Sequence, residues 1–223
     1  MAVGFEPDEN TQRNVLEELK WDAHVQPNEI GVVVKDGIVT LTGWVDSYLK
    51  KPAAEEAAQR VLGVKAVAND IEVRLPGFAE RTDADLAAAV LGALRWDAAI
   101  PAGKVAVTVS QGWVTLKGEV DHYFQKRDAE PAIERLSGVR GVSNLLTVKP
   151  QPVPQDLKSQ IQKALVRNAQ IDASRITVGV QGSEVILRGT VSSYAEIKAA
   201  ADTACSAYGV TEVDNRMIVS FPA

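Results

Sequence analysis

The sequence predicts an α+β protein made of three tandem copies of one small module, and three observations carry that prediction. Residues 36–48 read DGIVTLTGWVDSY, and nearly the same run returns as QGWVTLKGEVDHY at 111–123 and as GSEVILRGTVSSY at 182–194. Around it, four landmarks hold their spacing. Ile30, Val105 and Ile176 precede Gly43, Gly118 and Gly189 by 13 residues; Gly63, Gly138 and Gly209 follow after 20 residues, and Asn69, Asn144 and Asn215 after six more. Third, the hydrophobic period changes in the same order within every copy, giving helix, strand, strand, helix, strand. The copies run 8–76, 80–150 and 153–221, joined by LPGFAE near 75–80 and KPQPVPQ at 149–155. Three prolines make the second linker extended and stiff.

Each element has its own justification. VLEELKW (15–21), AVLGALRW (89–96) and IQKALVR (161–167) space apolar residues three and four apart, the pattern of an amphipathic helix. Thr82 supplies an N-cap with Asp85 three residues on. Ile30, Val32 and Val34 alternate, as do Val105, Val107 and Val109, and Ile176, Val178 and Val180, so one face of a strand is buried. A two-residue turn follows: Asp36-Gly37 and Gln111-Gly112, against Gly182-Ser183. Asp-Gly suits a type I′ turn and Gly-Ser a type II′ turn, both compatible with hairpin twist. Val39-Leu41, Val114-Leu116 and Val185-Leu187 mark the second strand. Ala54, Ala58 and Val61 share a face of the second helix, matched by Ala129, Ile133 and Leu136 and by Ala200, Ala204 and Ala207. ANDIEVRL, SNLLTVKP and DNRMIVSF close the units as strands.

Glycine and proline punctuate this scheme. Gly43, Gly118 and Gly189 lie within the second strand, where close packing by the first helix is the expected reason and a ligand on the backbone the sharper alternative. Gly63, Gly138 and Gly209 follow the second helix and suit left-handed caps. Pro52 and Pro131 fall where that helix runs, so it begins near Pro52 in the first copy and kinks or restarts at Pro131 in the second. Ser193 and Glu196 form a capping box, and the third copy's helix is expected to be regular.

Composition narrows the function. Of 223 residues, 46% are apolar, ample for globular cores. The net charge of −5 argues against a nucleic-acid binder, and all of the excess lies in residues 1–76, while the other two copies are balanced. Unequal charge on equivalent modules fits drift on solvated faces; if it is functional, the first copy is the one expected to avoid anionic surfaces. No apolar run reaches the roughly 18 residues of a membrane span. No signal-peptide pattern is visible, so a cytoplasmic location is expected.

The sequence offers no chemistry that recurs. His24 and His122 have no counterparts in the other copies, Cys205 is the only cysteine, and no nucleotide, hydrolase or zinc-protease motif appears. The expectation is no enzyme activity, no catalytic residue, no cofactor and no metal site. Cys205 is placed on the outward side of its helix, partly exposed or covered by a neighbouring copy. Tyr48, Tyr123 and Tyr194 recur before the second helix and are expected at the core edge, hydroxyl outward. Trp21 and Trp96 recur at the end of the first helix and are expected to pack. Trp44 and Trp113 stand where other copies carry Glu119 or Glu184, which makes them the candidate exposed contact residues, for the next copy or for a membrane interface.

The pattern V-x-L-x-G-x-V, a Gly-Val some 20 residues later and a closing Val-x-Asn strand resembles the BON domain, three times over. Gly43-Trp44-Val45 with Gly63-Val64, Gly118-Glu119-Val120 with Gly138-Val139, and Gly189-Thr190-Val191 with Gly209-Val210 carry the match. The resemblance implies an α+β sandwich, with two helices on one face of a three-stranded mixed sheet. It also implies a non-catalytic module of bacterial envelope and osmotic-stress proteins, credited with binding phospholipid surfaces. A relative with a LysM domain senses potassium. Neither the signal peptide of periplasmic members nor a LysM segment is expected from these residues. The reading is a stress-response binding protein for phospholipid surfaces or a protein partner. A potassium sensor or a self-associating scaffold are the alternatives.

Overall fold

A hairpin of alternating apolar residues buries only one face, so each pair of strands needs a layer of helix to cover it. The computed structural model describes residues 8–25 and 29–220, and it supplies that layer three times. The first unit contains α1 (Asp8–Trp21), β1 (Ile30–Lys35), β2 (Ile38–Val45), α2 (Lys50–Gln59), β3 (Ala66–Asn69) and β4 (Glu72–Val73). The second contains α3 (Asp83–Trp96), β5 (Val105–Ser110), β6 (Trp113–Val120), α4 (Tyr123–Ala129), α5 (Pro131–Glu134) and β7 (Gly141–Val148). The third contains α6 (Leu157–Arg167), β8 (Ile176–Gln181), β9 (Glu184–Val191), α7 (Tyr194–Cys205) and β10 (Glu212–Val219).

Every sheet has the same mixed topology. The hairpin strands pair antiparallel, with Ile30 opposite Gly43, Val105 opposite Gly118 and Ile176 opposite Gly189. The closing strand adds parallel to the middle one, as Val114 to Val142 and Val185 to Val213. A parallel neighbour requires a crossover, and the second helix provides it. In the first copy the closing strand is interrupted at Asp70 and Ile71 without a change of register, since Leu41 faces Asn69 and Trp44 faces Glu72.

Three separate cores result. Val15, Leu19, Val39, Leu41 and Ala54 centre the first; Val90, Leu94, Val114, Leu116 and Ile133 the second; Ile161, Leu165, Val185, Leu187 and Ala200 the third. The prolines act as their chemistry requires. Pro52 sits in the first turn of α2, whereas Pro131 opens α5 and breaks the second helix after Ala129. With Ser193 accepting from the Glu196 amide, α7 runs unbroken through 12 residues.

The turns match their residues. Asp36 and Gly37 (φ 54° and 79°) and Gln111 and Gly112 (52° and 78°) are both left-handed, while only Gly182 (59°) is so in the third copy. Asp8 and Asp83, at the starts of α1 and α3, hold the first two turns. The Asp8 carboxylate accepts from the Asp36 and Gly37 amides at 2.8 and 3.1 Å, and Asp83 from Gln111 and Gly112 at 2.8 and 2.9 Å. Pro154 holds the equivalent place in copy three; there Thr211 Oγ1 donates to Ser183 Oγ at 2.8 Å.

The crowding at Gly43, Gly118 and Gly189 comes from the backbone entering the first strand, not from the first helix. A Cβ at these positions would collide with the carbonyl of Glu29, Lys104 or Arg175, and φ is 108°, 141° and 148°. The collision is with main chain, which has no rotamer to yield. Gly118→Ala should cost about 1–3 kcal/mol in chemical denaturation; an unchanged midpoint would contradict this account of the strand.

Candidate functional site

The geometry that distinguishes this chain lies between its copies. Tyr194, at the start of α7, packs against the core of copy one, and its hydroxyl donates to the Lys65 carbonyl at 2.5 Å. Tyr48, at the equivalent place in copy one, packs against the core of copy two, beside Val142. Tyr123 of copy two lies beside the Cys205 thiol of copy three. Each tyrosine therefore serves the next copy, not its own core edge. One reaches to two, two to three, and three back to one.

Ion pairs follow the same direction. Lys198 Nζ lies 2.7 Å from Glu56 Oε1, linking copies three and one. Arg127, which aligns with Lys198, lies 3.1 Å from Asp202, which aligns with Glu56, linking copies two and three. The same two positions at the junction of copies one and two are Pro52 and Pro131. Like contacts repeated head to tail that return to the start define a ring with approximate threefold symmetry. Equivalent residues then lie on the same side of it.

The junctions differ in electrostatics. Around Tyr48 stand Glu55 of copy one and Glu130 and Glu134 of copy two. Burial, then the charges of Glu130 and Glu134, push the Tyr48 hydroxyl up to about 12. Burial also raises Glu130 and Glu134, with Glu130 and Glu56 adding to the effect on Glu134. Arg135 and Lys198 pull Glu134 back only in part. On the far junction, burial pushes the Cys205 thiol up to about 11, so it is a covered thiol with no thiolate character at neutral pH.

Grooves run along the junctions. One of about 480 Å³, between copies one and three, is lined by Lys65, Tyr194, Ile197, Asn215 and Met217. Another of about 690 Å³, between copies one and two, includes Lys51, Arg74, Trp113 and Arg140. Trp113 is half exposed; its ring covers Gly141 on the adjacent strand and its indole N–H donates to Ser143 Oγ at 2.8 Å. Trp44 is half-buried, with the Arg74 guanidinium 5.8 Å from its ring centre. Neither candidate tryptophan stands free of its own copy.

Trp21 and Trp96 do. They are 84% and 91% exposed, the opposite of the packing expected for them, because a residue two past a buried leucine lies about 200° round the helix, on its outer face. Leu19 and Leu94, two residues earlier, fill the core instead. Lys20 and Arg95 precede these tryptophans, and the third copy carries Val166, 73% exposed, with Arg167. Unpaired burial patterns at equivalent helix ends were the sequence signal for this, since residues 15 and 19, and 90 and 94, already complete the apolar stripe.

The recurrent asparagines are architectural. Asn69 and Asn144 donate to the Lys51 and Lys126 carbonyls at the second helix, and all three accept from an amide two residues on. Gly63, Gly138 and Gly209 take left-handed φ of 96°, 100° and 86° in the turn after it. His24 is exposed beside Asp22, and His122 lies in the second copy's helix cap, stacked on Phe124 and tilted against Tyr208. Among the described residues, no group of three or more His, Cys, Asp or Glu is placed to hold a metal ion, and no helix is long and apolar enough to cross a membrane.

A ring of three small mixed-sheet units, each with the same strand order, defines a tandem-repeat α+β protein by its form. The BON domain family model matches residues 7–74, 82–150 and 155–220, and the chain belongs to that family as a triple-BON protein. It is 30% identical over 134 residues to osmotically-inducible protein Y of Escherichia coli (strain K12), a match covering 56% of this chain and 65% of that relative. The aligned stretch thus spans under two thirds of the relative's length. Two structures of CdsD, a structural protein of the type III secretion system of Chlamydia trachomatis, align over 94% and 95% of this chain and 96% and 92% of theirs. Their identities are 13% and 12%, with TM-scores of 0.25 and 0.28, too low to carry an argument.

Two expectations follow from the junctions. Cys205 should resist thiol labelling in the native protein, and Tyr123→Ala should make it reactive while helical content is kept. A wild-type thiol labelled as fast as in the unfolded chain would contradict the closed junction. For pH, a carboxyl raised by folding favours the folded state while protonated, and that contribution is lost as pH rises through its raised value. Glu134→Gln should raise the thermal midpoint at neutral pH and leave it nearly unchanged near pH ~4; equal shifts at both would refute a buried carboxylate there.

Proposed function

We propose that this chain is a non-enzymatic binding protein of an osmotic-stress response, which lays one side of its three-copy ring on an anionic phospholipid surface. The observation that carries the reading is the pair Trp21 and Trp96, at equivalent helix ends, almost wholly in water. Tryptophan at such exposure gains by entering the headgroup layer of a bilayer, where its ring is half solvated. Lys20, Arg95 and Arg167 stand beside these points, and each cation near an anionic surface adds roughly 1 kcal/mol. Three weak contacts held by one frame add up through effective concentration, without any deep pocket. The name of the osmotically-inducible relative supports the stress setting.

The charge distribution gives the contact a direction. The acidic excess of residues 1–76 turns the first copy from an anionic surface, so copies two and three approach it more closely. The test is vesicle flotation with neutral and anionic liposomes at low and moderate salt. Flotation is expected with anionic vesicles only, weakened by salt and lost in Trp96→Ala more than in Trp21→Ala. Absence of flotation in every condition would refute the reading and leave a protein partner for the same surface.

A further inference from the structure

The three junctions differ in how they are tied. Copies one and two are joined by a linker that docks on copy two, where the Ser137 hydroxyl donates to the Ala79 carbonyl at 3.1 Å. Copies two and three are joined through residues 149–155, an irregular stretch holding Pro150, Pro152 and Pro154, whose Val153 packs against the core of copy three and so moves with it. Copies three and one have no linker. Their junction is the Tyr194 hydroxyl on the Lys65 carbonyl, the Lys198–Glu56 pair and the apolar groove beside them. Both partners of that ion pair are more than half exposed, at 66% and 55%, and such pairs add little to stability. The fully buried residues of each core, by contrast, all come from one copy, and among the described residues only Tyr194 and Tyr48 pack against a neighbour's core from outside. Copy three can therefore leave the ring while staying folded, at a cost well below global unfolding.

An open chain displays two surfaces that fit each other, and nothing in a head-to-tail contact requires them to belong to one molecule. Prolines at every second position favour an extended linker, in which copy three stands away from copy two. From there it can meet copies one and two of a neighbouring chain and re-form Tyr194–Lys65, Lys198–Glu56, Tyr123–Cys205 and Arg127–Asp202. We propose that the third copy is exchangeable: it leaves its own ring and completes the ring of a second copy of this chain, giving a reciprocal dimer. The inference does not rest on the membrane reading. Effective concentration keeps the exchange within one chain in dilute solution and lets a second chain compete as protein concentration approaches the millimolar range of a short linker.

The Lys198–Glu56 contact reports directly on this, because carbodiimide joins an amine and a carboxylate that touch. Unlabelled and ¹⁵N-labelled full-length chains are mixed, incubated dilute and concentrated, coupled, and separated by size before peptide mass analysis. In the monomer, Lys198–Glu56 linkages are expected to carry a single label. A dimer fraction is expected to grow with concentration, and about half of its Lys198–Glu56 linkages, the proportion of random pairing, to carry both labels. A dimer whose linkages stay label-pure, or a monomer at every concentration, would overturn the exchange. A monomer without the linkage would overturn the closed junction itself.

Discussion

One side chain organises the molecule: the tyrosine between the second strand and the second helix of each copy. It emerges where β2, β6 or β9 hands over to helix, at the rim of its own core, and points outward. A phenol there has an apolar ring to bury and a hydroxyl that needs a partner. The next copy offers an apolar edge for the ring and, for Tyr194, the Lys65 carbonyl as acceptor. Because the three copies share this residue, the contact is directional, and three directional contacts in one chain close upon themselves. A module of about 70 residues buries a limited fraction of its surface. Sharing edges around a ring adds burial that no single copy provides.

The ring is symmetric in shape and uneven in charge. Two junctions carry a cation opposite a carboxylate, while the third has Pro52 and Pro131 at those positions and gathers Glu55, Glu130 and Glu134 around Tyr48. Substituting proline for both members of a pair removes the attraction without leaving a lone charge, which is cheaper than losing one partner. The glutamates nearby then feel burial and one another with little compensation. The junction that carries this repulsion is one held by a linker, whereas the linker-free junction retains its ion pair.

Much of the fold was legible in the sequence because it depends on periodicity and backbone geometry. Alternation at Val32, Val107 and Val178 sets the strands, positive φ demanded the turn glycines, and the register of Gly43, Gly118 and Gly189 revealed the copies. The reason for those glycines was misread, since a carbonyl from the preceding loop is invisible to a linear pattern. The candidate site was legible only in part. The tyrosines, the prolines and the odd cysteine were noticed as recurrent or exceptional positions, yet their partners lie in another copy. Aligning copies reveals what is equivalent, while contacts here join positions that are not equivalent. Lys198 with Glu56 and Arg127 with Asp202 become visible only when the alignment is shifted by one copy. Trp21 and Trp96 recur without packing, because Leu19 and Leu94 already fill the buried stripe.

The central claim is closure, and small-angle scattering of the dilute monomer tests it most directly. A closed ring of this length should have a radius of gyration near the ~17 Å of a compact chain, with a single, nearly symmetric distance distribution. Three modules strung along their linkers would scatter with a radius well above roughly 20 Å and a long-distance tail. The latter result would contradict the ring.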